Sequence, residues 1–476
     1  MCALLFAVVL VSTIAHSQDE PALPKGLEPS AEEPELPAGL GTMEDTGEPE
    51  LPAGLGGDEE ISQAENDAAG ESSFTLPFDL TGFVDGRMGH RTQDDSKTSG
   101  FSLGELRAQV EAEKTWNRGM ARVTFDLLYD EIADKRDVNL ETGRGWFDLR
   151  EAFVMANAAS FLDLKLGRQI LTWGTGDLIF INDLFPKDFV SFFIGRDTEY
   201  LKAPSDSAKA SVFTRYLNVD FVYTPRFDAD RYINGERISF YSPAAGGLVG
   251  HDAVVRVDRP DRWFRDDEIA VRLYQNVGAF ELATYGYRGY WKSPGGAGPA
   301  RGEATFPRLT VGGASIRGPL AGGIANAELG YYWSEDDTSG SDPTVNNSEL
   351  RLLFGYEREL MQDLSVGAQY YLERMAHHSD YRRSLPAGVR ERDENRHILT
   401  FRVTQRLLQQ NLILGLFAYW SPSDRDGYLR PNVQYKIDDH WLVEAGGNVF
   451  VGDRKDTFFG QFDRNTNAYV SARYGF

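Results

Sequence analysis

The chain has 476 residues, 12% of them aromatic, with 48 glycines and a mean hydropathy of -0.39. No uncharged apolar run of ~18 residues follows the N-terminal stretch, which excludes a spanning helix, and no basic stripe is present, so no nucleic acid is expected as a partner. The net charge of -23 is concentrated: residues 18–71 hold sixteen acidic side chains and a single lysine, Lys25, leaving -8 for the body.

The first element, residues 1–17, is an apolar run ending Ala15-His16-Ser17 that reads as a secretory signal peptide cut before Gln18. It contains the only cysteine, Cys2, so the mature chain is expected to carry no disulfide. Residues 18–72 are rich in Pro, Glu, Gly and Ala and have no aromatic side chain. Such a stretch buries too little apolar surface to offset its ordering entropy, so a disordered acidic tail is expected. Within it "EPELPAGLG" occurs at 33–41 and again at 48–56, with a looser copy, "LPKGLEP", from Leu23. These Leu-Pro-x-Gly-Leu copies read either as a duplicated spacer or, over residues 23–56, as docking motifs for a periplasmic partner.

The body, residues 73–476, alternates with period two. Leu106, Ala108, Val110 and Ala112 interleave with Arg107, Gln109 and Glu111; Ala121, Val123, Phe125, Leu127 and Tyr129 continue the pattern. About 18 such segments follow one another, most of them 10–14 residues long. Membrane strands need ~9–11 residues against ~5–6 in soluble sheets. The connections alternate too. They are long at 92–100, 133–145, 174–206, 227–266, 291–306, 334–346, 376–393, 421–427 and 452–461, and short in between. An outer-membrane barrel does this because its periplasmic turns are tight and its outer loops long. The expected fold is therefore all-β: a transmembrane antiparallel β-barrel of about 18 strands with a disordered N-terminal tail. The expected location is the Gram-negative outer membrane, with lipid against the barrel and the tail in the periplasm. Tyr129, Trp146, Tyr223, Tyr290, Trp333, Tyr371, Trp420, Trp441 and Phe476 are expected in the interfacial girdles.

The last strand carries Val470, Ala472, Tyr474 and Phe476 on one face. A C-terminal phenylalanine on such a strand is similar to the signal by which the barrel-assembly machinery recognises Gram-negative outer-membrane barrels. The stretch "LREAFVMAN…LDLKLGRQILTWGTGD" resembles the LREA…GRQ…WG pattern of alginate-export-like and related porins, which implies an 18-stranded barrel. The resemblance is motif-specific over about 149–197. An exporter of a polyanion is expected to have a strongly basic pore. Here parity directs Arg107, Arg122, Lys165, Lys209, Arg215, Arg272, Arg351, Arg402, Arg430, Lys436 and Arg473 into the lumen beside twelve acidic residues. The interior is mixed, so the family's cargo is not carried over.

The segment after the fifth strand, 174–206, is too apolar for a loop in water: Leu178, Ile179, Phe180, Ile181, Leu184, Phe185, Phe189, Phe192 and Phe193 lie within it. Folded into the lumen, it would bury these against the wall and leave Asp177, Asp183, Lys187, Asp188, Arg196 and Asp197 in the channel as a constriction. The competing reading is a lid over the barrel mouth. Arg168 joins this group only if a bulge at Gly167 turns it inward, since parity from Leu162, Leu164 and Leu166 directs it to lipid.

No metal or cofactor is expected. His377 and His378 are adjacent and point apart, "SEDDTSGSD" at 334–342 reads as a solubilising loop, and no phosphate loop or cysteine cluster is present. A hydrolase is disfavoured, because the one obvious wall histidine, His397, is directed outward. The expected function is a porin-like channel for passive passage of small solutes; the alternative is a structural barrel that anchors a periplasmic partner through its tail.

Overall fold

The computed structural model describes residues 77–132, 137–300 and 302–476; the signal peptide, the acidic tail and its repeats lie outside the described residues. Eighteen strands form one antiparallel sheet closed on itself. In chain order they are β1 (Asp79–Arg91), β2 (Phe101–Trp116), β3 (Gly119–Asp130), β4 (Phe147–Ala159), β5 (Leu162–Ile170) and β6 (Pro204–Val212). There follow β7 (Asn218–Thr224), β8 (Glu268–Val277), β9 (Phe280–Tyr290), β10 (Arg308–Leu320), β11 (Gly323–Ser334) and β12 (Glu349–Met361). The last six are β13 (Leu364–Met375), β14 (Asn395–Leu407), β15 (Leu412–Ser421), β16 (Asp426–Lys436), β17 (Trp441–Gly452) and β18 (Asn467–Gly475).

Alternation makes each of these a strand with two different faces. In β1, Val84, Gly86, Met88 and His90 are exposed while Asp85, Arg87, Gly89 and Arg91 are buried. The greasy side faces outward all round the barrel: Leu80, Met88, Leu106, Leu127, Leu166, Ile316, Phe354 and Val470 are among the exposed large side chains. A continuous apolar band of this kind exceeds what a soluble monomer leaves bare, and lipid is the solvent that accepts it. Two aromatic girdles bound it. Trp116, Phe161, Tyr216 and Trp441 are exposed near the end where the chain enters β1, and Tyr129, Trp146, Trp333 and Trp420 near the opposite end.

Closure falls on the terminal strands. β18 pairs with β1 from Phe83↔Gly475 to Arg91↔Asn467. Beyond the register, Phe476 N donates to Gly82 O (2.9 Å) and Gly82 N to Phe476 O (3.0 Å). The Phe476 ring lies 2.8 Å from where a Cβ on Gly82 would stand, so glycine makes room for it. Val470, Ala472, Tyr474 and Phe476 all lie on the exposed face.

Three sequence expectations are corrected. Tyr290 and Tyr371 are 4% and 5% exposed and face inward, where their hydroxyls donate to Asp266 of an outer loop (3.3 Å) and to Glu373 on the same strand as Tyr371 (3.1 Å). The connection expected over 421–427 is a four-residue turn, 422–425; the β15–β16 ladder continues to Ser421↔Asp426, and Arg425 closes it at a positive φ of 55°. The loop expected over 174–206 spans 171–203, since residues from Pro204 already pair with β5.

Candidate functional site

The chain leaves β5 and, instead of arching outward, passes into the barrel before β6. Its middle forms a short helix, α1 (Phe189–Ile194), capped by the Asp188 carboxylate accepting from Ser191 N at 2.7 Å. Gly195 ends the helix at φ 101°, and a Cβ there would meet the Tyr469 ring at 2.4 Å, so the backbone can lie against the wall only because the residue is glycine. Ile179, Ile181, Phe185, Phe192, Phe193 and Ile194 are buried in one cluster with wall residues Leu353, Ile398, Phe417, Tyr428, Phe450 and Tyr469. The lumen at this level is a packed apolar core.

Polar contacts tie the segment to opposite walls. At the barrel seam, Arg87 on β1 donates to Gly195 O (2.7 Å) and Asp197 (2.8 Å), and also meets Asp85 and Glu444. Arg473 on β18 pairs with the same Asp197 and with Asp85 (3.1 Å). Next to it Arg196 bonds Glu105 (2.6 Å), whose other oxygen holds Arg107 (2.6 Å), and Arg107 in turn pairs with Asp126. Arg430 on β16 donates to Arg196 O (2.6 Å) and lies over the Phe192 ring. Across the lumen, Glu328 on β11 accepts from the backbone of Thr175 and Gly176 and from Asn182 Nδ2 (3.0 Å). Gln369 on β13 brackets the Asp177 backbone with bonds of 2.7 and 2.8 Å, and Arg402 on β14 pairs with the Asp177 carboxylate. The glycines of β10 and β11 leave space for this approach: a Cβ on Gly313 would fall 1.9 Å from Asn182 Oδ1.

The residues read from the sequence divide accordingly. Asp177, Arg196 and Asp197 meet lumen-wall arginines or carboxylates. Asp183, Lys187 and Asp188 are instead bonded to near neighbours, with Asp183 and Lys187 bordering the cavity above the segment. Lys187 Nζ donates to Asp183 (2.9 Å) and Phe185 O (2.7 Å), and all three side chains are buried within the folded segment. Arg168 is not with them. It donates to Leu149 O (2.6 Å), Leu140 O (2.7 Å) and Asp206 (3.1 Å), at the base of the segment. Among the lumen assignments, Arg107, Arg402, Arg430 and Arg473 sit as described. Arg122 pairs with Glu113, and Lys165 stands 3.6 Å over the Phe153 ring beside Glu151. Arg215 and Lys436 stand at the rim: Arg215 is exposed in the turn after β6, and Lys436, the last residue of β16, pairs with Asp439 of the turn that follows. The reading missed Arg87, Asp85, Glu444 and Gln369. Glycines at 82 and 86 dilute the apolar face of β1, although Val84 and Met88 still mark Asp85 and Arg87 as inward.

A second latch comes from the outer loop 225–267. Arg231 holds Asp148 with two bonds of 2.8 Å and reaches Asp188 at 3.4 Å, and its N–H donates to Lys187 O (2.8 Å). Asp230 accepts from Lys187 N at 2.8 Å. Burial, aided by Glu268 and Glu141, pushes the Asp228 carboxyl up to about 7; burial pushes Asp230 up to about 6 despite that backbone donor. Among the described residues, one group has metal-ligand proximity, Glu141, Asp206 and Asp228. Their oxygens are already occupied by Arg168, Arg226 and Arg259, three cations in place of one.

No family model matches the chain, and no curated protein matches it. Among solved structures it is similar to Acinetobacter baumannii OccAB4, with a TM-score of 0.51 at 8% identity over 85% of this chain and 100% of that one. Pseudomonas aeruginosa OccK11 (TM-score 0.47, 9% identity, 83% and 95% coverage) and Salmonella typhi OmpF (0.42, 10%, 84% and 97%) also match. The fold is that of an outer-membrane porin. Inside this barrel, the long third connection is bonded to the wall on both sides of the lumen.

Proposed function

We propose that the chain is a porin-like channel of the Gram-negative outer membrane for passive passage of small solutes, with segment 171–203 as its constriction. The observation that carries the reading is the tie across the lumen: Asp197 to β1 and β18, Asp177 to β13 and β14. Solutes would pass the few charges that keep contact with water, Asp177 (43% exposed), Arg402 (35%) and Glu199 (54%), and be sorted by size and field. The lumen pairs acid with base throughout, which favours small solutes over a polyanion. The alginate-export-like pattern remains a matter of sequence, and its Arg168 and Gln169 are engaged here by Leu149 O and Ser207 O at the base of the segment. β1 enters from the side of the short turns, and the N-terminal tail is assigned with it to the periplasm.

Swelling of dextran-loaded proteoliposomes in isosmotic solutes of graded size tests this. Entry of the smallest sugars with a steep fall toward disaccharides is expected; no swelling in any solute, from protein shown to be folded, would overturn it.

A further inference from the structure

Between the inward segment and the outer loops lies a cavity of about 650 Å³, within the ~300–1,000 Å³ typical of small-molecule sites. Phe180 and Phe189 of the segment form one side; Phe240, Trp291, Tyr371 and Phe458 form others. Phe458 stays 46% exposed, so the cavity is reached from the loop side.

The wall also carries charge, each group of it in a local pair or hydrogen bond, with one donor atom, the buried Arg396 Nη2, left without a hydrogen-bond partner. Lys187 is held by Asp183, Lys292 by Glu268 (2.6 Å), Arg351 by Glu349 (2.6 Å) and Arg396 by Asp424 (2.7 Å). Of the acids, Asp230 accepts from Lys187 N and from Ser293 Oγ (3.2 Å), and Glu373 from Tyr371 (3.1 Å). An ion entering would give up hydration and meet no free counter-charge. A flat apolar ring would meet aromatic faces and edges on several sides. We infer that this cavity binds an uncharged aromatic small molecule on the outer approach to the constriction. As the identity of a solute this rests on the channel reading; as a binding site it stands by itself.

The test uses the full chain in lipid nanodiscs at pH 7, with equilibrium dialysis of 2-naphthol and of its anionic counterpart 2-naphthoate, and empty discs measuring uptake by lipid. One 2-naphthol per chain above the empty discs is expected, bound about tenfold or more tightly than 2-naphthoate, a difference of about 1.4 kcal/mol. Ala304→Trp, which fills the cavity from its wall, abolishes this binding. Phe458→Ala, at an exposed position that leaves the barrel untouched, weakens it several-fold. Equal or tighter binding of 2-naphthoate, uptake no greater than in empty discs, or binding unchanged in both variants would overturn the site. Conductance of the same preparations separates the two readings. Current without 2-naphthol binding removes the site and keeps the channel; binding without current keeps the site and removes the channel.

Discussion

Arg87 and Arg473 stand on the two strands that close the barrel, and both point at one loop carboxylate, Asp197. Arg87 is 5% exposed as a side chain and so is its partner Glu444. Removing one member of a buried pair leaves the other uncompensated, at about 3–5 kcal/mol. Arg87→Ala is therefore expected to release the end of segment 171–203 rather than unfold the barrel. The sign of success is increased protease cleavage near Gly195 with an unchanged barrel in circular dichroism; protection equal to the parent would refute the clamp.

The pair Asp228 and Asp230 gives a pH dependence at the same scale. Their carboxyls are held at about 7 and about 6, above the ordinary 3.8, chiefly by burial. The folded loop thus favours the protonated form. Its stabilisation is complete below the ordinary carboxylate range and is lost as pH rises through 6 and then 7. Hydrogen exchange in loop 225–267, corrected for intrinsic rates, should show stronger protection at pH 5.5 than at pH 8. The reverse order would contradict the burial of these groups.

At the scale of elements, the strands were legible because each must offer lipid one face and the lumen the other, and a period of two records that directly. The connections were legible because long and short ones alternate. What escaped was partner choice. Nothing in the spacing of Asp148, Asp188 and Arg231 says that an outer loop will fasten the inward segment, since the three meet only after the barrel closes. Lys187 and Asp183 looked like channel charges for the same reason: four residues apart in a polar-apolar stretch, they turn out to neutralise each other inside it. Arg215 lies beyond the end of β6, where parity loses its meaning. The glycines facing the segment are the element-scale test. A Cβ on Gly330 would fall 2.6 Å from Ile181 Cγ2, and one on Gly313 nearer still to Asn182. Gly313→Val is expected to displace residues 175–183 from the wall of β10 and β11 and to raise conductance; unchanged conductance would mean that this stretch does not limit flow.

Taken whole, the described barrel is a lipid-facing shell around a largely polar wall, with an apolar segment of its own chain packed across part of the lumen. The shell follows from strand chemistry and closes through β1 and β18. The inward segment follows from a loop too hydrophobic to sit in water, and in the function proposed above it is the element on which passage depends. The measurement that tests this most directly is single-channel conductance in a planar bilayer, comparing the intact chain with one in which residues 178–193 are replaced by a short Gly-Ser linker. The account predicts a small current from the intact protein and a several-fold larger one from the variant. Equal currents, or silence from both although both barrels are folded, would contradict it.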